Sequence, residues 1–169
     1  MSGVLELTAP TAGAMQELGS VVAGLLAGGD VVVLTGDLGA GKTTFVKGAA
    51  RALGVTDQVV SPTFTIARRY RGTRTVHHID VYRLDRMQEV IDLGVEELFD
   101  PDGVTFVEWG DVIEGLLPDA YLEVELWTRA EDEGRLVVLT GTGVAWAERW
   151  ERLEGATQPF AVAAAERST

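Results

Sequence analysis

The stretch Gly36-Asp37-Leu38-Gly39-Ala40-Gly41-Lys42-Thr43 fits G-x-x-x-x-G-K-[ST], a spacing that can cradle the phosphates of a nucleotide. Its glycines let successive backbone N–H groups converge on phosphate oxygens. The helix expected to start there adds positive potential at its N-terminus. Lys42 is placed to reach the β- and γ-phosphates, and the Thr43 hydroxyl to bind Mg²⁺.

A Mg²⁺-nucleotide site also needs an acid at a strand end near the loop, because ligands of α/β sheets gather at the carboxyl ends of strands. Two residues qualify. Glu108 follows Val104-Thr105-Phe106-Val107, and Asp80 follows Val76-His77-His78-Ile79. Either could hold the ion, leaving the other to orient the attacking water. Ser61 and Thr63 lie in a loop where P-loop proteins often carry a hydroxyl that senses the γ-phosphate. Trp109 suits either core packing or a lid over the nucleotide. His77 and His78 are strand neighbours and face opposite sides, so they cannot share a ligand. One is expected at the surface, the other hydrogen-bonded near Asp80.

These residues need a scaffold, and the flanking sequence supplies one. Val31 to Leu34 is a continuous apolar run that reads as a buried parallel strand. Thr43 to Leu53 reads as a helix closed by Gly54. Upstream, residues 4–8 predict a strand. Thr11 is the expected N-cap of a helix whose apolar positions run from Ala14 to Leu26, ended by Gly28-Gly29. Phe64–Tyr70 and Thr73–Tyr82 predict a hairpin around Arg71-Gly72, so two neighbouring strands are antiparallel. Asp85 is a candidate cap for a helix broken at Gly94. A strand over 104–107, a short helix over 111–117, and strands over 121–127 and 135–139 follow. A helix over 144–153 closes the pattern. The expected fold is an α/β P-loop NTPase-like three-layer sandwich with a mixed parallel and antiparallel sheet and the 31–34 strand central. Residues 1–154 form one domain, and 155–169 a disordered tail.

Composition narrows the function. The 169 residues hold 26 acidic and 14 basic side chains, a net charge of −12, which argues against tight nucleic-acid binding by this chain alone. The one basic cluster runs from Arg68 to Arg74. The absence of cysteine excludes disulfides and thiolate metal sites and fits the cytoplasm. No apolar run is long enough to span a bilayer, and residues 1–10 lack a signal-peptide pattern.

The set GDLGAGKTT (36–44), SPTF (61–64), HHIDVYRL (77–84), LGVEELF (93–99) and VEWGD (107–111) resembles the TsaE family, also called YjeE, over roughly residues 15–140. These are small bacterial P-loop ATPases of tRNA threonylcarbamoyladenosine synthesis. The resemblance implies that Asp37, Leu38, Gly39, Ala40, Gly41, Lys42, Thr43 and Thr44 hold ATP or ADP, with Trp109 nearby. It implies that Thr43 and Glu108 ligate Mg²⁺, and that Asp80, with Lys42 and the switch-like Thr63, serves hydrolysis. It further implies weak ATPase activity alone, activation by a complex of TsaB and TsaD, and contact with tRNA only through that complex. One departure is Met15, which stands where family members often have a threonine.

Three other readings compete. A P-loop small-molecule kinase would add an Arg-rich lid and an acceptor pocket, and the only arginine cluster lies in a hairpin. A GTPase would need the guanine-reading N-K-x-D motif, and the chain contains no asparagine. A non-catalytic scaffold would bind nucleotide without hydrolysing it even with partners present.

Overall fold

The computed structural model describes residues 3–61, 67–81, 92, 94, 99–109 and 114–163. Its described strands form one seven-stranded sheet in the order β1-β7-β6-β2-β5-β4-β3. They are β1 (Gly3–Ala9), β2 (Val31–Gly36), β3 (Ala67–Tyr70), β4 (Val76–Asp80), β5 (Val104–Glu108), β6 (Tyr121–Thr128) and β7 (Arg135–Thr142). The helices that lie wholly among the described residues are α1 (Ala12–Ala23), α2 (Lys42–Ala52) and α3 (Val144–Thr157). As expected, β2 is central and the sheet is mixed. Strands β6, β2, β5 and β4 run parallel, while β3, β7 and β1 join by antiparallel pairing.

Burial explains the two sequence textures. The central strands β2 and β5 are apolar almost throughout because both faces are covered. In β6, by contrast, Leu122, Val124 and Leu126 are buried and alternate with Glu123 and Glu125. One sheet face packs Val32, Leu34, Phe106, Val124 and Leu139 against Leu18, Phe45, Ala49, Trp146 and Leu153 of the helices. The opposite face packs Val31, Val33, Ile79, Val81 and Val107 beneath Phe99, Trp109, Leu116 and Leu117.

Helices α1 and α2 meet at two glycines. A Cβ on Gly48 would lie 1.9 Å from the Gln16 carbonyl oxygen, and one on Gly19 would lie 2.2 Å from the Phe45 carbonyl oxygen. Backbone therefore touches backbone, which fixes the helix that carries Lys42 and Thr43. Helix α3 is tied to the lead of β2 through Arg149, whose guanidinium donates to both Asp30 carboxylate oxygens at 2.6 and 2.9 Å.

Several expected boundaries move. Thr11 caps α1 by accepting from Ala14 N, but α1 closes at Gly24 rather than Gly28-Gly29. The hairpin turn covers 71–75 instead of two residues, because Thr73 donates through both its N–H and its hydroxyl to the Leu53 carbonyl. Within the expected 111–117 helix, residues 114–116 make a single 3₁₀ turn, and 111–113 lie outside the described residues. The helix expected after Asp85 also lies almost wholly outside them.

The tail boundary is the largest correction. Helix α3 continues four residues past Leu153 to Thr157. A 3₁₀ turn follows at Gln158–Phe160, and Ala161 bridges to Leu7. Thr157 is buried and its hydroxyl donates to the Leu153 carbonyl. The alanine-rich composition suggested disorder, but Leu153, Thr157 and Val162 bury against the sheet and hold the segment in place. Residues 164–169 lie outside the described part.

Candidate functional site

Strand register assembles the site. Leu34 of β2 pairs with Glu108 of β5, and Glu108 with Asp80 of β4. Two acids therefore sit side by side at the carboxyl ends of parallel strands, next to where the chain leaves β2 for the phosphate loop. Gly39 (φ 77°) and Gly41 (φ 108°) take left-handed backbone, which an L side chain rarely adopts and glycine adopts freely. This turns the loop back so that α2 starts at Lys42 with its amides facing the open space.

Lys42 is 5% exposed, and its Nζ donates to the carbonyls of Gly36 (2.6 Å) and Asp37 (2.9 Å). The ammonium lies 4.0 Å from the centroid of the Trp109 ring. Burial lowers its pKa from the ordinary 10.5, and the charges of Glu108, Asp80 and Asp37 partly offset that shift. A desolvated cation with nearby anions is poised to exchange carbonyl partners for phosphate oxygens.

The Thr43 hydroxyl contacts both oxygens of Glu108, at 3.1 and 3.2 Å. Two hard oxygen donors at a helix N-terminus fit Mg²⁺, which takes one or two protein ligands and completes its shell with phosphate and water. Among the described residues no group of three or more His, Asp or Glu converges, so a protein-only metal cage is not present there. Asp80 accepts from Ser61 Oγ at 3.2 Å, which places the 55–61 loop at the same end of the sheet. Tyr70 braces that loop through Val60 N.

Of the two roles its position suggested, the structure shows packing for Trp109. Its ring packs on the second apolar cluster and also touches Lys42. The backbone makes this orientation: Trp109 N donates to the Leu34 carbonyl at 2.8 Å, yet φ is 63°. That region is unfavourable for a bulky side chain, and such strain gathers at functional sites.

The histidine expectation needs correcting. Neither ring is on the surface: His77 is 6% and His78 0% exposed. The other half of the expectation holds, since His78 Nε2 bonds to Glu108, the strand neighbour of Asp80. On the opposite face, His77 Nε2 lies 3.2 Å from Asp100 Oδ2. Strand β4 is covered on both sides, so alternation leaves no wet face for either ring.

Sequence reasoning missed Arg135. From the start of β7 its guanidinium donates to the carbonyls of Ala40 (3.0 Å) and Gly39 (3.2 Å), and also to Glu133 and Gly134. It braces the phosphate loop from behind. Nothing local signals this, since 95 residues separate Arg135 from Ala40. Beside it opens a cavity of about 640 Å³ lined by Thr11, Met15, Gly41, Thr44, Asp132 and Arg135. Nucleotide-sized ligands occupy cavities of roughly 300–1,000 Å³.

Lys42, Thr43, Asp80, Glu108, Ser61 and Trp109 are thus brought together, and Asp37 to Thr44 form the loop. Thr63 lies outside the described residues. Met15, named above as a departure from the family pattern, is 2% exposed and lines the cavity.

A parallel-stranded core, a glycine loop entering a helix, and a lysine and hydroxyl opposite strand-end acids define a P-loop nucleotide-binding α/β protein. The comparisons narrow that class. The family model described as "Threonylcarbamoyl adenosine biosynthesis protein TsaE" matches residues 9–137. The chain is 48% identical to the Bacillus subtilis tRNA threonylcarbamoyladenosine biosynthesis protein TsaE, over 68% of this chain and 72% of that one. It is 41% identical to the Streptomyces coelicolor protein of the same name, over 79% and 94%. The crystal structure of Bacillus subtilis YdiB superposes with a TM-score of 0.76 at 35% identity, covering 94% of this chain and 97% of that one. The chain belongs to the TsaE family.

Proposed function

We propose that this chain is the ATP-binding and ATP-hydrolysing subunit for the threonylcarbamoyladenosine modification of tRNA, acting with a TsaB–TsaD complex. Family membership carries the pathway, through the names of its relatives. One observation carries the chemistry: Lys42, Thr43, Glu108 and Asp80 converge from three elements on the open side of one amide-lined loop.

In this reading the N–H groups of 37–44 and Lys42 hold the ATP phosphates, and the neighbouring cavity takes the nucleoside. Thr43 and Glu108 hold Mg²⁺. The ion supplies charge neutralisation on the phosphate oxygens when bound. Asp80, fixed by Ser61, orients the attacking water. Trp109 walls off Lys42 from solvent. Thr63, two residues beyond Ser61 in the sequence, couples the site to the partner. Arg135 acts as a loop brace rather than an arginine finger, because four of its five N–H donors go to carbonyls. A partner that completes the site in trans is therefore expected, with effects of roughly 10³–10⁵ in rate where such a finger is supplied. The chain works as one domain that includes the last helix and the 158–163 segment, in the cytoplasm, with tRNA reached only through the complex. No described helix is long and apolar enough to cross a membrane.

The test is steady-state phosphate release by the chain alone and with TsaB and TsaD, each with and without tRNA. Slow release alone and strong stimulation by the partners is the expected result. Fast release that partners leave unchanged, or phosphate transfer to a nucleoside or sugar, moves the assignment to a P-loop kinase.

A further inference from the structure

His78 has the burial of a core residue and the chemistry of something else. Its side chain is wholly buried on β4, on the same strand face as Val76 and Asp80. Across the ladder that face continues with Val104, Phe106 and Glu108. The imidazole leans along the strands from Phe106 toward Glu108. Nε2 carries the proton of that contact, because a carboxylate only accepts. The other ring nitrogen, Nδ1, is buried without a hydrogen-bond partner.

That orphaned atom decides the interpretation. A leucine would fill much of the same space and leave no polar atom unpaired, so packing alone does not account for an imidazole here. The imidazole's distinctive contribution is one donor aimed at Glu108. Glu108 is itself 3% exposed, and among the described residues its other side-chain hydrogen bond comes from the Thr43 hydroxyl, with the Lys42 charge nearby. Without His78 the carboxylate would have one fixed partner and freedom to turn away. With it, the carboxylate is held from one side and faces Thr43 on the other. His77 makes a useful contrast: it contacts Asp100 on the opposite face, beside the turn before β5, and does not touch the site.

We propose that His78 is a positioning residue that fixes the Glu108 carboxylate against Thr43, so that the Mg²⁺ donor pair is formed before nucleotide arrives. Partners of this kind orient metal-binding carboxylates from outside the coordination shell. The inference rests on the Mg²⁺-dependent reading of the site given above.

The experiment uses the full chain with His78→Leu and His78→Gln. Glutamine keeps an N–H donor at about the reach of Nε2, and leucine removes it. ADP and ATP affinities are measured by calorimetry with Mg²⁺ and with EDTA. In His78→Leu the Mg²⁺-dependent gain in affinity is expected to fall by about 10- to 100-fold, with affinity in EDTA unchanged. His78→Gln is expected to recover most of the gain. Combining His78→Leu with Glu108→Gln should add little to Glu108→Gln alone. A wild-type-sized Mg²⁺ gain in His78→Leu overturns the proposal, as does an equal loss with and without Mg²⁺. Should the leucine variant not fold, the wild-type chain carries the test by ¹⁵N-imidazole NMR. The His78 Nε2–H resonance is expected to shift when Mg²⁺ is added to the ADP-bound chain, and no change overturns the proposal. If the wild-type chain shows no Mg²⁺-dependent gain at all, the metal reading falls first and His78 with it.

Discussion

The Thr43 hydroxyl lies 3.1 Å from the Glu108 carboxylate across 65 residues of sequence. One group opens α2 and the other closes β5, so parallel pairing of β2 with β5 is what brings them together. The division of labour proposed for Glu108 and its neighbour Asp80 is testable at this pair. Glu108→Gln is expected to lose most of the Mg²⁺-dependent part of ATP affinity, because it halves the protein's donor pair. Asp80→Ala is expected to keep that affinity and lose turnover. Calorimetry with and without Mg²⁺, alongside phosphate release, separates the two. Swapped patterns would reverse the roles.

Lys42→Ala removes the one buried ammonium beside the loop carbonyls. Charge-assisted bonds of this kind are worth ~1.5–3 kcal/mol each, so affinity for ATP should drop by roughly ten- to a hundredfold. Unchanged affinity in a folded variant would remove the phosphate loop from the argument.

Arg135→Leu tests the brace behind the loop. Its loss leaves the Gly39 and Ala40 carbonyls without their guanidinium donors. Both carbonyls can turn to water, so the stability cost should be modest, about 1 kcal/mol. Nucleotide affinity should fall by more than stability does, since the loop loses its preset shape. Equal affinity in the variant would mean that the glycine loop holds its form unaided.

Two glycine-to-alanine changes make opposite forecasts. Gly48→Ala drives a methyl into the Gln16 backbone and should cost about 1–3 kcal/mol or more, read as a lower thermal midpoint. Gly155→Ala, in α3 with nothing within 4 Å of the added methyl, should stabilise by roughly 0.5–1 kcal/mol. A neutral Gly48→Ala would mean that α1 and α2 can part without consequence.

Asp100 is expected to contribute to an acid limb of stability. The Asp102 N–H, and then the His77 ring, hold its carboxyl below the ordinary value of 3.8. A carboxyl with a folded pKa below its unfolded one stabilises above the unfolded value. That contribution fades as pH falls through the folded value. Asp100→Asn still accepts from Asp102 N but cannot titrate. Its urea midpoint should therefore fall less steeply than that of the wild type as pH drops below about 4. Parallel curves would show that Asp100 has no part in the acid limb.

The sequence alone determined the phosphate loop, its flanking strand and helix, the hairpin, and both strand-end acids. These signals are local: left-handed glycines, apolar runs and caps act within a few residues. The centrality of β2 was also legible, because an apolar run buried on both faces has no other place in a sheet. Tertiary structure decided what depends on partners far along the chain. Register chose Glu108 as the partner of Thr43 and His78, leaving Asp80 with Ser61. A covered sheet buried both histidines, although alternation alone had sent one of them to solvent. Arg135 reached the loop across 95 residues, and Leu153, Thr157 and Val162 found a surface to cover, which kept a low-complexity tail in place as far as the described chain extends. In each case the deciding energy is burial or a hydrogen bond between distant segments, and no window of the sequence contains both partners.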